Sequence, residues 1–297
     1  MSIARLYEST RKGKMKQMED ITLQSLLEAG CHFGHKAERW NPKASEFIYS
    51  KKDGIHIIDL AKTKAGLEAA AAFVKETASR GETVLFVGTK RQARGIVKEL
   101  AEKAGAPYLV ERWIGGFLTN WDEVHKNIQK INRLADEQKT GGWKKFPKHE
   151  QTKRARYLER LKVFYGGVLV LNTPPAALFV IDVKKEDAAV REGKRREIPI
   201  IGVVDTNSDP TGIEYVIPAN DDAVGSIQIV TKIIADAYQE GREKAEKERK
   251  IADSKTVRQE DDKKGRPASP VTQETAEKKT EKTEEKSREA GSGSARK

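Results

Sequence analysis

Apolar and polar positions along this chain change period repeatedly, and each change marks a change of element. From Ile21 to Gly30, Leu23, Leu26 and Leu27 recur at helical spacing, and Gly30 is a natural stop. Phe47 to Ser50 and Ile55 to Asp59 are short β-like runs joined by Lys51, Lys52, Asp53 and Gly54, which predicts a hairpin. An Ala-rich helix, Ala61 to Ser79, follows and is closed by Gly81. Thr83 to Val87 is almost wholly apolar, the pattern of a strand buried on both faces of a parallel sheet. After a helix from Arg91 to Ala104, the runs Tyr108 to Val110, Leu178 to Ile181 and Pro199 to Val204 supply further strands, with a helix from Lys185 to Lys194 between the last two. Glu214 to Ile217 reads as a final short strand before a long helix, Ala223 to Arg242. This alternation predicts an α/β fold, a doubly wound and mainly parallel sheet.

Between Gly115 and Gly167 the alternation gives way to two helical stripes. Trp121, Val124, Ile128, Ile131 and Leu134 recur at intervals of three and four, with His125, Lys126, Gln129 and Lys130 facing away. Ala155, Leu158, Leu161 and Tyr165 form a matching stripe, and the link from Lys139 to Pro147, with Gly141 and Gly142, turns the chain back. Two narrow stripes with polar outer faces satisfy one another as an antiparallel coiled-coil hairpin, which need not lie on the sheet. The organisation expected is therefore a basic N-terminal extension (1–18), a discontinuous α/β domain (19–115 and 166–245), a hairpin insertion (116–165) and a charged tail (246–297).

Composition sharpens two of these parts. Beyond residue 245 the only large aliphatics are Ile251, Val257 and Val271 and there is no aromatic side chain, so the tail cannot bury enough apolar surface to offset its ordering entropy and is expected to be disordered. Its charges are of mixed sign. The tail carries 15 Lys/Arg against 12 Asp/Glu, so it contributes only +3 of the net charge of +11 that accompanies a pI near 9.4. The second hairpin arm, Lys144 to Lys162, holds eight Lys/Arg against Glu150 and Glu159. A basic arm of this kind suits a polyanion, of which nucleic acid is the commonest in the cytoplasm and a membrane surface the competitor. The most apolar stretch, Val168 to Asp182, is broken by Asn172, Thr173, Pro174 and Pro175, so no bilayer-spanning segment is expected. Arg5, Arg11, Lys12, Lys14 and Lys16 make a basic head without the apolar core of a secretion signal, and Met15 and Met18 are alternative starts. The single cysteine, Cys31, excludes an internal disulfide framework and suits a reducing cytoplasm.

Candidate chemistry gathers where strands end. The turn Gly88-Thr89-Lys90-Arg91 offers a small residue, a hydroxyl and two cations at a helix N-terminus, where a phosphate would sit, although any βα junction also favours such residues. Neither GxxxxGK[ST] nor GxGxxG is present there. Cys31, His32 and His35 have metal-ligand chemistry but no evident fourth ligand, and capping and packing at a helix end is the favoured reading. Asp205, Asp209, Asp221 and Asp222 fit a hard-cation site or ordinary Asx-turns, and a metal shared there with a partner is left open. No nucleophile, base and orienting group share a recognisable motif, so catalytic residues, a cofactor and a resident metal are not expected.

One set of blocks goes beyond composition. Leu26-Leu27-Glu28-Ala29-Gly30-Cys31-His32-Phe33-Gly34-His35, Trp40-Asn41-Pro42-Lys43 and Ile55-His56-Ile57-Ile58-Asp59-Leu60 open the series. Phe86-Val87-Gly88-Thr89-Lys90-Arg91, Arg112-Trp113-Ile114-Gly115-Gly116-Phe117-Leu118-Thr119-Asn120-Trp121, Ala177-Leu178-Phe179-Val180-Ile181-Asp182, Val204-Asp205-Thr206-Asn207-Ser208-Asp209-Pro210 and Val216-Ile217-Pro218-Ala219-Asn220-Asp221-Asp222-Ala223 continue it. In order and spacing they resemble the bacterial ribosomal protein S-two family over about Glu19 to Glu240. The resemblance implies a non-catalytic, structural constituent of the small ribosomal subunit in the cytoplasm, with a flavodoxin-like domain and a protruding coiled-coil hairpin. It further implies contact with small-subunit ribosomal RNA between head and body, among neighbouring small-subunit proteins, and help in anchoring ribosomal protein S-one. Three departures are visible: residues 1–17 precede the family's usual start near Met18, the tail is longer and more charged, and Pro174-Pro175-Ala176 stands where Leu-Pro-Asp is usual.

The mechanism expected is shape-matched electrostatic binding to folded RNA, without base readout. The contact residues expected are Arg39 and Lys43 in the first loop, Lys90 and Arg91 at the strand end, Arg112 before the glycine pair, and Lys153, Arg154 and Arg156 on the arm. Trp40, Trp113 and Trp121 are candidates for base stacking, or equally for core and hinge anchors. The rival readings are a nucleotide-binding α/β enzyme using the same strand ends and an adaptor using the helical hairpin.

Overall fold

The computed structural model describes residues 21–264, so the N-terminal extension and the end of the charged tail lie outside the described residues. Two units are distinguished along the chain, 1–248 and 249–297, and the α/β fold belongs to the first. It opens with helix α1 (Leu23–Glu28), whose first turn is capped by the Thr22 hydroxyl accepting from the Ser25 N–H at 3.1 Å. Strands β1 (Phe33–Lys36), β2 (Ile48–Lys52) and β3 (Ile55–Ile58) then form a small antiparallel sheet in the order β1-β3-β2. The β2–β3 hairpin turns on Asp53 (φ 50°) and Gly54 (φ 77°), both left-handed as a two-residue hairpin turn requires. Strand β1 departs from expectation: His35 lies on a strand rather than capping a helix, because Gly30 (φ 75°) turns the chain back alongside β3.

The main sheet has five strands in the order β5-β4-β6-β7-β8, all parallel: β4 (Val84–Val87), β5 (Tyr108–Leu109), β6 (Ala177–Ile181), β7 (Ile200–Val204) and β8 (Tyr215–Pro218). This is the flavodoxin-like order, with its switch point between β4 and β6. Every residue of β4, β6 and β7 is buried. Alternate side chains feed two cores, as the period of a strand demands. Val84, Phe86, Phe179, Ile181 and Ile201 pack on one face against α2 (Leu60–Ser79), α3 (Arg94–Ala104) and α7 (Val224–Lys264), through Leu67, Val74, Val97, Ile234 and Tyr238. On the other face Leu85, Val87, Leu178, Val180 and Ile200 meet Val190 of α6 (Asp187–Arg195) and the start of α4 (Trp121–Lys139).

The helical hairpin, α4 with α5 (Lys148–Tyr165), is the crossover between β5 and β6. Its two ends behave differently. Trp121, Val124 and Ile128 belong to the sheet core, whereas Ile131, Leu134, Trp143 and Leu158 form a separate cluster between the arms. The root thus replaces an ordinary crossover helix on the sheet, and only the shaft stands apart from it. Residues Lys139 to Pro147 reverse the chain as expected, with a short 3-10 helix, Gly142–Lys145, placing Trp143 under the tip. Helix α7 runs on to Lys264, past the residue at which the tail was expected to begin, with Arg242–Glu246 and Lys244–Glu248 pairs aligned at i,i+4.

One close approach fixes α2 on the sheet edge. A Cβ on Gly66 would lie 2.3 Å from the Val216 carbonyl oxygen of β8, so only glycine lets the helix backbone settle there. Gly66→Ala is expected to cost about 1–3 kcal/mol of unfolding free energy in urea denaturation, the range for overpacking. Gly95→Ala is the control: nothing lies within 4 Å of its added Cβ, so this substitution in α3 should be neutral or stabilising.

Candidate nucleic-acid interface

The carboxyl ends of the parallel strands converge, but on an acidic pocket. Each of three strands is followed by aspartate: Asp182 after β6, Asp205 after β7, and Asp221 and Asp222 shortly after β8. Lys90, after β4, reaches into their midst, its ammonium 2.8 Å from Asp221 Oδ1, 2.7 Å from Asp222 Oδ1 and 3.2 Å from Asp182 Oδ2. Burial by itself would lower the Lys90 pKa, but the hydrogen bonds to Asp221 and Asp222 outweigh it and hold the ammonium charged. Asp221 is almost fully enclosed, and burial together with the Asp182 and Asp205 charges raises its carboxyl to about 7 against the pull of Lys90. His35 joins from β1, with Nδ1 3.1 Å from Asp205 Oδ1 and Nε2 3.4 Å from Asp222 Oδ2, and the Asp205 carboxylate raises its pKa.

This pocket is built differently from the one expected. Lys90 cannot serve a phosphate while three carboxylates surround it. Asp209 stands outside the cluster, paired with Lys43 at 2.8 Å and held at about 2 chiefly by that bond. Asp182 is an addition, at a left-handed φ of 65°. The Cys31, His32 and His35 trio is not assembled: Cys31 is in the core, its thiol pushed up by burial, and His32 packs on the Phe33 ring at 4.0 Å. The donor atoms that do meet, one each from His35, Asp205 and Asp221, lie within 4.8 Å of one another, an imidazole and carboxylate set of the kind that suits a divalent cation.

The hairpin root is held by one carboxylate. Glu192 on α6 accepts from the Trp113 Nε1–H (3.0 Å) and the Gly116 N–H (2.8 Å) with one oxygen, and from the Leu118 N–H (3.0 Å) and the Thr119 N–H and hydroxyl (both 3.3 Å) with the other. Burial would raise its pKa, but these donors lower it overall. One turn on, Arg196 donates to the Leu118 and Thr119 carbonyls at 2.9 and 3.2 Å. Trp113 and Trp121 are therefore anchors of the root rather than stacking platforms: Trp121 is in the sheet core and Trp113 is partly buried against it. Neither Glu192 nor Arg196 stood out in the sequence, although their i,i+4 spacing on a polar helix face is visible there.

The remaining cations divide into committed and free. Arg154 stacks on Phe146 at 3.9 Å and donates to Glu150 at 3.2 Å, so it serves the hairpin itself. Arg112 is exposed but lies over the Phe164 ring at 4.8 Å. Arg39, Arg91, Lys153 and Arg156 are exposed and, among the described residues, form no ion pair. Lys153 and Arg156 share one arm. The structure does not gather Arg39, Arg91 and the arm residues into one cluster.

The sheet and hairpin define a structural α/β protein with a basic helical crossover and no assembled catalytic set among the described residues. The family model described as ribosomal protein S2 matches residues 26–241. The small ribosomal subunit protein uS2 of Coprothermobacter proteolyticus is 51% identical over 226 residues, covering 76% of this chain and 84% of that protein. The chain belongs to the ribosomal protein S2 family, the one its sequence blocks resemble. It is a non-enzymatic structural protein of the small ribosomal subunit, cytoplasmic as part of the ribosome.

Glu192→Ala should destabilise the fold by about 1–3 kcal/mol, since several part-buried donors lose a charged acceptor at once. Hydrogen exchange at the Gly116, Leu118 and Thr119 amides should speed up at least tenfold, with Glu192→Gln intermediate. Unchanged exchange at those amides would show that the carboxylate does not hold the root.

Proposed function

We propose that the protein binds folded small-subunit ribosomal RNA through the outer face of α5 and the hairpin root, as one of the contacts that seat it between head and body of the subunit. The observation that carries this reading is the state of the arm's cations. Lys148, Lys153, Arg156 and Arg160 are exposed and, among the described residues, without carboxylate partners, while neighbouring Arg154 and Lys162 are paired within the arm. Cations held on one helix face without counter-charges are poised to neutralise phosphates and release counterions. The acidic strand ends support the same assignment by contrast, because the usual anion site of such a sheet is filled by Lys90. Arg39, Arg91 and Arg112 are secondary contacts in this reading, and Lys43 joins them once an RNA phosphate competes with Asp209.

Anchoring of ribosomal protein S-one belongs to the same proposal and is supported by a separate surface. Leu23, Leu27, Phe33 and Val224 are large apolar side chains left about half exposed, and Phe33 and Ala223 both lie within 4.0 Å of where a Gly30 Cβ would be. An apolar patch of this kind fits a protein neighbour better than RNA.

The arm is tested by Lys153→Glu combined with Arg156→Glu, both exposed and so removable without unfolding the hairpin. Affinity for small-subunit ribosomal RNA should fall at least tenfold near 0.1 M salt, and the log–log salt dependence should become shallower by about 1.5, roughly 0.7–0.9 for each phosphate left without its cation. Unchanged affinity and unchanged small-subunit occupancy on gradient sedimentation would remove the arm from the interface.

A further inference from the structure

The small antiparallel sheet belongs neither to the arm nor to its root. Its hairpin carries Lys51 and Lys52 into the Asp53-Gly54 turn, and Lys36 of β1 faces Ile55 from one side as Lys52 does from the other. Three lysines thus ring the tip. Among the described residues none of them forms an ion pair, in contrast to Lys43 nearby in sequence, which is bound to Asp209.

Aromatic surface lies among these charges. Trp40 is 41% exposed with its ring edge-on to His56, centroids 5.4 Å apart, and His56 is the cross-strand partner of Lys51, so the three share a face. Tyr49 is the extra residue of the bulge between Ile48 and Ser50, and at 76% exposure it is the most exposed large apolar side chain among the described residues. A bulge re-aims a side chain out of the regular pleat, here into solvent. Exposed rings flanked by unpaired cations are the two components of a single-strand platform, in which bases stack on rings and cations follow the backbone. Duplex binding by shape would use the lysines and leave both rings idle.

We propose that the β2–β3 hairpin, with Trp40, is a second RNA-contact surface that takes unpaired nucleotides, with a base on Tyr49 and adjoining phosphates on Lys51 and Lys52. It rests on the reading of the protein as an RNA-binding constituent but concerns a surface separate from the arm.

The test uses the full chain, a fluorescent oligouridylate of about ten nucleotides and a duplex RNA of equal length. Tyr49→Ala should weaken oligouridylate binding by about five- to a hundredfold, the range for losing one stacked base. Lys51→Glu with Lys52→Glu should make its salt dependence shallower by about 1–2. Duplex binding should change less than twofold in either variant, and an unchanged melting curve keeps the Tyr49 result interpretable. Wild-type affinity in Tyr49→Ala would overturn the proposal, as would Tyr49→Ala subunits that keep RNA binding but lose a neighbouring protein, which would make the surface a protein contact. If the wild-type chain binds small-subunit ribosomal RNA but not oligouridylate, this surface fails and the arm reading stands. Failure to bind either RNA would overturn both.

Discussion

The Lys90 ammonium is the constraint on which the body of this protein depends. Parallel strands buried on both faces must end somewhere polar, and here the ends of β6 and β8 bring Asp182, Asp221 and Asp222 to one place. Those carboxylates repel one another in a poorly solvated site, as the raised Asp221 pKa registers. Lys90, delivered by β4, supplies the compensating charge and ties together the ends of strands that are far apart in sequence. An uncompensated set would have to take up protons or another cation, and His35 beside Asp205 adds a further positive charge when protonated.

Charge is thereby partitioned. Where a flavodoxin-like sheet ordinarily receives an anionic ligand, this one sets carboxylates around a lysine already committed to them, and among the described residues unpaired cations stand on the hairpin arm and the small sheet, as well as at Arg39 and Arg91. The hairpin can present them because its root is part of the fold. Phe117, Leu118, Trp121, Val124 and Ile128 are packed against β4 and β6, and Glu192 satisfies the N–H groups of the loop entering α4. The chain has taken the obligatory crossover between β5 and β6 and lengthened it into an arm, so the arm inherits the orientation of the sheet.

Much of this was legible in the sequence because it rests on local periodicity. The stripes of α4 and α5 predicted both arms and their turn, and the apolar runs predicted every strand of the parallel sheet. What was not legible depends on long-range geometry. The strand β1 reads Phe-Gly-His-Lys, with no alternation to mark it, and exists because β3 is there to pair with it. Lys90 looked like a phosphate ligand because its partners come from the ends of other strands. Glu192 and Arg196 looked like an ordinary polar helix face, since the loop they hold lies more than seventy residues away. Sequence alone fits Trp113 and Trp121 equally to stacking and to anchoring, and only their packing in and against the sheet core decides for the anchor.

The central claim is that the protein meets RNA through unpaired cations on its arm while the strand-end lysine is occupied internally. Amine-reactive footprinting of the free protein and of the same protein in assembled small subunits measures this directly, lysine by lysine. The account predicts that Lys148 and Lys153 are reactive in the free protein and protected in the subunit, and that Lys90 is unreactive in both. Equal reactivity of Lys148 and Lys153 in the two states, or a Lys90 that reacts when free and becomes protected in the subunit, would contradict it.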